Sequence, residues 1–203
     1  MAWHERYRMV ARFVAIVLPA AAAIAASAQE SPYDANEVKA AFLYHFGTYV
    51  QWPGAPAATD PITIVVLGDP AVAAQLARFL PGRRISGRPV QTRVIARIEE
   101  LADDAILFIG RANNAGLASI TAAVARRPVL VVTDAPDGLE RGAMVNFREV
   151  DARVRFEISL PRAEEAGLVL SSRLLAAALR VEQGAQTERI GHAYLATNVN
   201  RRE

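Results

Sequence analysis

Three short runs constrain the fold more than anything else in the chain: "ITIVVLG" (62–68), "AILFIG" (105–110) and "VLVVTD" (129–134). Each is an unbroken apolar stretch, rich in β-branched residues and ended by turn formers. A strand wet on one face alternates polar and apolar positions. Strands without that alternation are covered on both faces, as in a parallel sheet. The segments "AVAAQLARFL" (71–80) and "LASITAAVARR" (117–127) read as helices, and "RPVQTRVI" (88–95) as a more exposed strand. The order β–α–β–α–β–α–β predicts right-handed crossovers and an α/β fold, a three-layer Rossmann-like sandwich around a mostly parallel central sheet.

The C-terminal third has a different pattern. In "RVRFEISL" (153–160), Val154, Phe156, Ile158 and Leu160 alternate with Arg153, Arg155, Glu157 and Ser159. With "AMVNFREV" (143–150) across Asp151-Ala152, this predicts an antiparallel hairpin at the sheet edge. A short helix (162–166) stops at Gly167. Ser171 or Ser172 then caps a last helix, "RLLAAALRVEQ". Residues 184–203 lack periodicity and read as a loose tail.

The first helix, 36–52, is crowded with rings: Phe42, Tyr44, Phe46, Tyr49 and Trp52. Val38, Ala41, Phe42, His45, Tyr49 and Trp52 follow helical spacing and are expected to face inward, with His45 a neutral core histidine. Leu43, Phe46 and Val50 make a second apolar row, with Tyr44 roughly opposite the stripe. Left in water, such a row marks an interaction site. Leu43, Tyr44, Phe46, Tyr49 and Val50 are therefore the expected surface for a partner or a twin subunit, the competing explanation being that loops or the last helix cover the second row.

Ahead of this helix, "MAWHERYRMVAR" is basic, "FVAIVLPAAAAIAA" (13–26) apolar, and "ASA" a small-x-small cleavage site. Residues 1–28 read as a signal peptide cut after Ala28, leaving one domain over 29–203 with a core of about 36–182. The apolar run is short for a membrane span. Without residues 1–28, the 23 basic and 21 acidic residues become 20 of each, so the basic pI does not argue for nucleic acid. The chain has no cysteine, which excludes thiol catalysis, iron–sulfur clusters and thiolate zinc sites. An exported soluble protein of this kind belongs in the bacterial periplasm.

Catalytic signatures are missing: no G-x-S-x-G, no H-E-x-x-H, no Walker loop and no G-x-G-x-x-G after a strand. Glu99–Glu100, Asp103–Asp104 and Glu164–Glu165 are adjacent pairs, which on a helix do not face one point. Arg83–Arg84 and Arg126–Arg127 follow helix ends, where cations complement the dipole. No catalytic residue, metal ligand or cofactor is expected. The one suggestive place is the carboxyl end of the parallel strands, where open α/β sheets bind ligands. There lie Gly68, Asp69, Gly110, Arg111, Thr133 and Asp134, as ordinary turn residues or as a small-ligand site.

The helix "EVKAAFLYHFGTYVQWP", the strand end "VLGDP", "LFIG", "VLVVTDAPDGLERGAMVNF" and "RVRFEISLPRAEEAGLVLSSRLL", in this order, resemble the YfiR family over roughly 36–182. The resemblance implies a periplasmic regulator and not an enzyme. Such a protein represses an inner-membrane diguanylate cyclase by engaging its periplasmic sensor segment, lowering cyclic-di-GMP and biofilm formation. It implies homodimers and an outer-membrane peptidoglycan-associated lipoprotein that sequesters the repressor. Relatives with cysteines form disulfides, which this chain cannot do. Where the family usually has phenylalanine after the glycine of "GF", this chain has Leu139. The alternative reading is a periplasmic small-ligand sensor with its ligand at the strand ends.

Overall fold

The computed structural model describes residues 34–54, 60–102 and 106–184. The expected signal peptide (1–28), the Asp103–Asp104 pair and the expected loose tail beyond Gly184 lie outside them.

The chain enters through α1 (Ala35–Tyr49), capped by the Asp34 carboxylate on the Asn36 amide. It continues through β1 (Val50–Gln51), β2 (Ile62–Leu67), α2 (Pro70–Phe79), β3 (Arg84–Ile85), β4 (Arg88–Ile95) and β5 (Ile106–Ile109). Then follow α3 (Leu117–Val124), β6 (Leu130–Thr133), β7 (Val145–Val150), β8 (Arg153–Ser159), α4 (Leu160–Glu165), β9 (Val169–Leu170), α5 (Ser172–Ala177) and β10 (Arg180–Glu182).

Eight strands form one sheet in the order β10-β8-β7-β6-β5-β2-β4-β3. The run β7-β6-β5-β2-β4 is parallel throughout. Every residue of β2, β5 and β6 is buried, as the unbroken apolar runs predict for strands covered on both faces. The fold is the mostly parallel α/β sandwich expected, with helices flanking the sheet.

The hairpin β7–β8 is antiparallel and turns at Asp151 and Ala152, both at positive φ (50° and 55°), as a two-residue primed turn requires. It is not the edge of the sheet. The last helix ends at Ala177, and Arg180–Glu182 leave helical geometry to pair in parallel with β8 outside the hairpin. The reason is polar. Buried Glu157 accepts from Asn146 Nδ2 (2.9 Å) and from Arg180 Nε (3.2 Å), and Arg180 also reaches Glu182 and Glu140. A helical Arg180 would leave Glu157 without its cation. The Glu157 carboxylate raises the Arg180 pKa above its ordinary value, with desolvation opposing and Glu182 and Glu140 adding.

α1 also departs from expectation. Ala40, Leu43, Phe46, Gly47 and Val50 face the core, whereas His45 is exposed. Small Ala40 and Gly47 let the helix lie close to the sheet; a Cβ on Gly47 would stand 2.6 Å from Ile85 Cδ1. Phe46 and Phe42 enter a cluster of rings with Phe147 and Phe156 at centroid distances of 5.1–6.0 Å. Phe108 joins through Phe147 at 6.1 Å. Much of the aromatic excess in the first helix is therefore core. Past Tyr49 the chain straightens into β1, which pairs with β9, so the helix stops short of Trp52.

Candidate functional site

Two open features flank α1. The first is a groove of about 270 Å³ between α1 and α5, walled by Phe42, His45, Tyr49, Phe156, Arg173 and Leu174. α5 stands there because Ser171 caps it, its Oγ accepting from the Leu174 amide, and because the Ser171 amide donates to the Tyr49 carbonyl. The groove is apolar in its depth and carries His45 and Arg173, both exposed, on its walls.

This corrects the expected partner surface. Leu43, Phe46 and Val50 are 0%, 1% and 6% exposed and present no free face. Their row is the stripe that packs inward, because it contains the small residues that permit close approach. Tyr44 is half-buried on α2: its hydroxyl donates to the Arg84 carbonyl (3.0 Å), its ring meets Phe79 edge-on, and the Arg83 guanidinium lies 5.3 Å from it. Of the five residues expected there, Tyr49 opens on the groove, and Phe46 contributes to its floor. His45, expected inside, stands outside.

The second feature is a cavity of about 230 Å³ beyond the carboxyl ends of β5, β6 and the strand next to them, lined by Arg111, Asp134, Pro136, Phe147, Arg148 and Glu149. Asp134 is 4% exposed. Its Oδ2 accepts from Lys39 Nζ at 2.6 Å and lies 3.4 Å from Arg111 Nε, which also donates to the Asp134 carbonyl (3.3 Å). Asp134 Oδ1 meets no donor among the described residues. Lys39, the only lysine in the chain, sits in the second turn of α1 and ties that helix to the sheet.

Of the six expected strand-end residues, Arg111 and Asp134 line this cavity; the others do structural work. Asp69 caps α2 through the amides of Ala71 and Val72. Gly68, at φ 78°, lies under Asn113, whose Oδ1 would stand 1.7 Å from a Cβ there. Gly110 packs on Asp69 and the Gly68 carbonyl, and the Thr133 hydroxyl donates to the Ile109 carbonyl. The crevice between β2 and β5, where strand order reverses, is thus filled, and the open space lies farther along the sheet. Lys39 was missed because its partner is 95 residues away; a lone lysine within an apolar helix was the available signal.

These features place the chain among the layered α/β sandwich proteins. A domain-family model described as YfiR/HmsC-like (DUF4154) matches residues 36–178, and the chain belongs to that family. It is a regulatory family tied to cyclic-di-GMP signalling, and its proteins are periplasmic. No helix among the described residues is long and apolar enough to cross a membrane. No curated protein matches the chain. Among solved structures, a conserved domain protein from Vibrio cholerae is similar at TM-score 0.48 and 14% identity, over 72% of this chain and 60% of that one. The ABC domain in complex with L-Trp from Streptococcus pneumonia is similar at TM-score 0.42 and 12% identity, over 59% of this chain and 55% of that one. The chain spans less than two thirds of either.

Proposed function

We propose that this protein is a periplasmic repressor that binds the sensor segment of an inner-membrane diguanylate cyclase or a related sensor, lowering cyclic-di-GMP and biofilm formation. The family match over 36–178 carries this reading. The signal-like segment 1–28 supports export. In this reading the protein forms homodimers, an outer-membrane peptidoglycan-associated lipoprotein sequesters it, and repression is by contact and not by turnover.

The α1–α5 groove is the contact surface in this reading. It joins an apolar trough to exposed His45 and Arg173, the mixture of rings and charge that binding hot spots favour. The pair His45→Asp and Arg173→Glu places two acids on its walls. Both positions are exposed, so the variant is expected to keep its stability within about 0.5 kcal/mol for each change. Capture of the membrane partner from detergent extracts is expected to fall at least tenfold. Undiminished capture by a folded variant would remove the groove from the reading.

A further inference from the structure

We propose that the cavity between Arg111 and Arg148 binds a singly protonated phosphate group, either free hydrogen phosphate or a phosphate monoester. The site goes beyond the repressor reading and does not depend on it.

Two guanidiniums flank the cavity. Arg111 is held through Nε alone, and none of the hydrogen bonds or ion pairs among the described residues uses its two terminal nitrogens. Its side chain is 67% exposed. Arg148 spends one terminal nitrogen on the Pro136 carbonyl and is itself exposed at the cavity. Paired guanidinium forks match the oxygens of a carboxylate, sulfate or phosphate.

The acidic groups narrow the choice. Asp134 is buried, and Lys39 and Arg111 satisfy only its Oδ2; among the described residues Oδ1 still lacks a donor. Glu149 adds a second carboxylate at the rim. A ligand suited to this set must accept from the arginines and also donate to a carboxylate. At neutral pH sulfate and simple carboxylates have no proton to give. A phosphomonoester loses its second proton with a pKa near 6 and free phosphate somewhat higher, so a protonated fraction is at hand. Two carboxylates beside the site also disfavour the fully ionised anion. Pro136, exposed at the rim, supplies an apolar surface on which the organic part of an ester can lie.

Calorimetry on the purified protein tests this with four probes at matched ionic strength: inorganic phosphate, sulfate, phenyl phosphate, and vesicles of phosphatidylcholine with or without phosphatidic acid. Phosphate or phenyl phosphate is expected to bind at least tenfold tighter than sulfate. Equal affinity for the two phosphates identifies the free ion, and tighter phenyl phosphate a soluble ester. Capture by phosphatidic acid vesicles that exceeds phenyl phosphate binding identifies a lipid headgroup. Arg148→Ala, an exposed change, is expected to weaken binding tenfold or more. Asp134→Asn is expected to bring sulfate level with phosphate. If the loss of the Lys39 partner unfolds that variant, Arg148→Ala still decides. Absence of heat with every phosphate, sulfate binding as tightly, or full binding by Arg148→Ala would overturn the proposal.

Discussion

Replacing Lys39 with alanine is expected to lower the unfolding free energy by about 3–5 kcal/mol, the cost of stranding a buried carboxylate. Asp134 is 4% exposed and, among the described residues, would keep only Arg111, whose side chain is mostly in water. The Lys39 side chain is itself 13% exposed, so its 2.6 Å contact is shielded from salt far better than a surface pair. The loss is not the worth of the pair, since desolvating both charges offsets most of their attraction. The double variant Lys39→Met with Asp134→Leu is therefore expected to regain most of the stability that the single change loses. Urea unfolding of the wild type, the single and the double variants measures both numbers. A single variant within 1 kcal/mol of the wild type would mean that the pair does not hold α1 to the sheet.

Phe46→Ala is expected to cost about 3–5 kcal/mol, as other buried phenylalanine truncations do. Phe46 is 1% exposed and packs on Phe42, Phe147 and Phe156 from three directions, so the space it leaves cannot collapse easily. Melting temperature is expected to fall by roughly 10 °C, at 2–4 °C per kcal/mol for a chain of this size. Phe46→Leu, which keeps most of the volume, is expected to cost no more than about 1.5 kcal/mol. These outcomes separate a core residue from a docking residue. A surface Phe46 would tolerate alanine and lose only its partner.

The layered sheet was legible because β2, β5 and β6 are apolar without interruption, and burial on both faces is the environment that demands it. The hairpin was legible from the period of two in Arg153–Leu160. The face of α1 was not, because the helix carries two apolar rows and hydrophobicity alone ranks them nearly equal. What decides is size: Ala40 and Gly47 allow approach to the sheet, and a histidine in the competing row is better solvated. β10 was hidden because "LAAALRVEQ" has good helix formers. A buried glutamate 23 residues earlier draws Arg180 out of the helix, which local propensity cannot reveal. At the strand ends, Arg111 and Asp134 were readable from position. Their alignment with Lys39 was a long-range fact that only folding discloses.

Held together, α1 is both a core element, through Leu43 and Phe46, and the wall of an open groove, through His45 and Tyr49. Whether the molecule works as a repressor is tested most directly by cyclic-di-GMP itself, measured in cells with the chain deleted and then restored. The account expects the level to rise severalfold on deletion and to return when the wild-type chain is supplied. An unchanged or lower level in the deleted cells would contradict it.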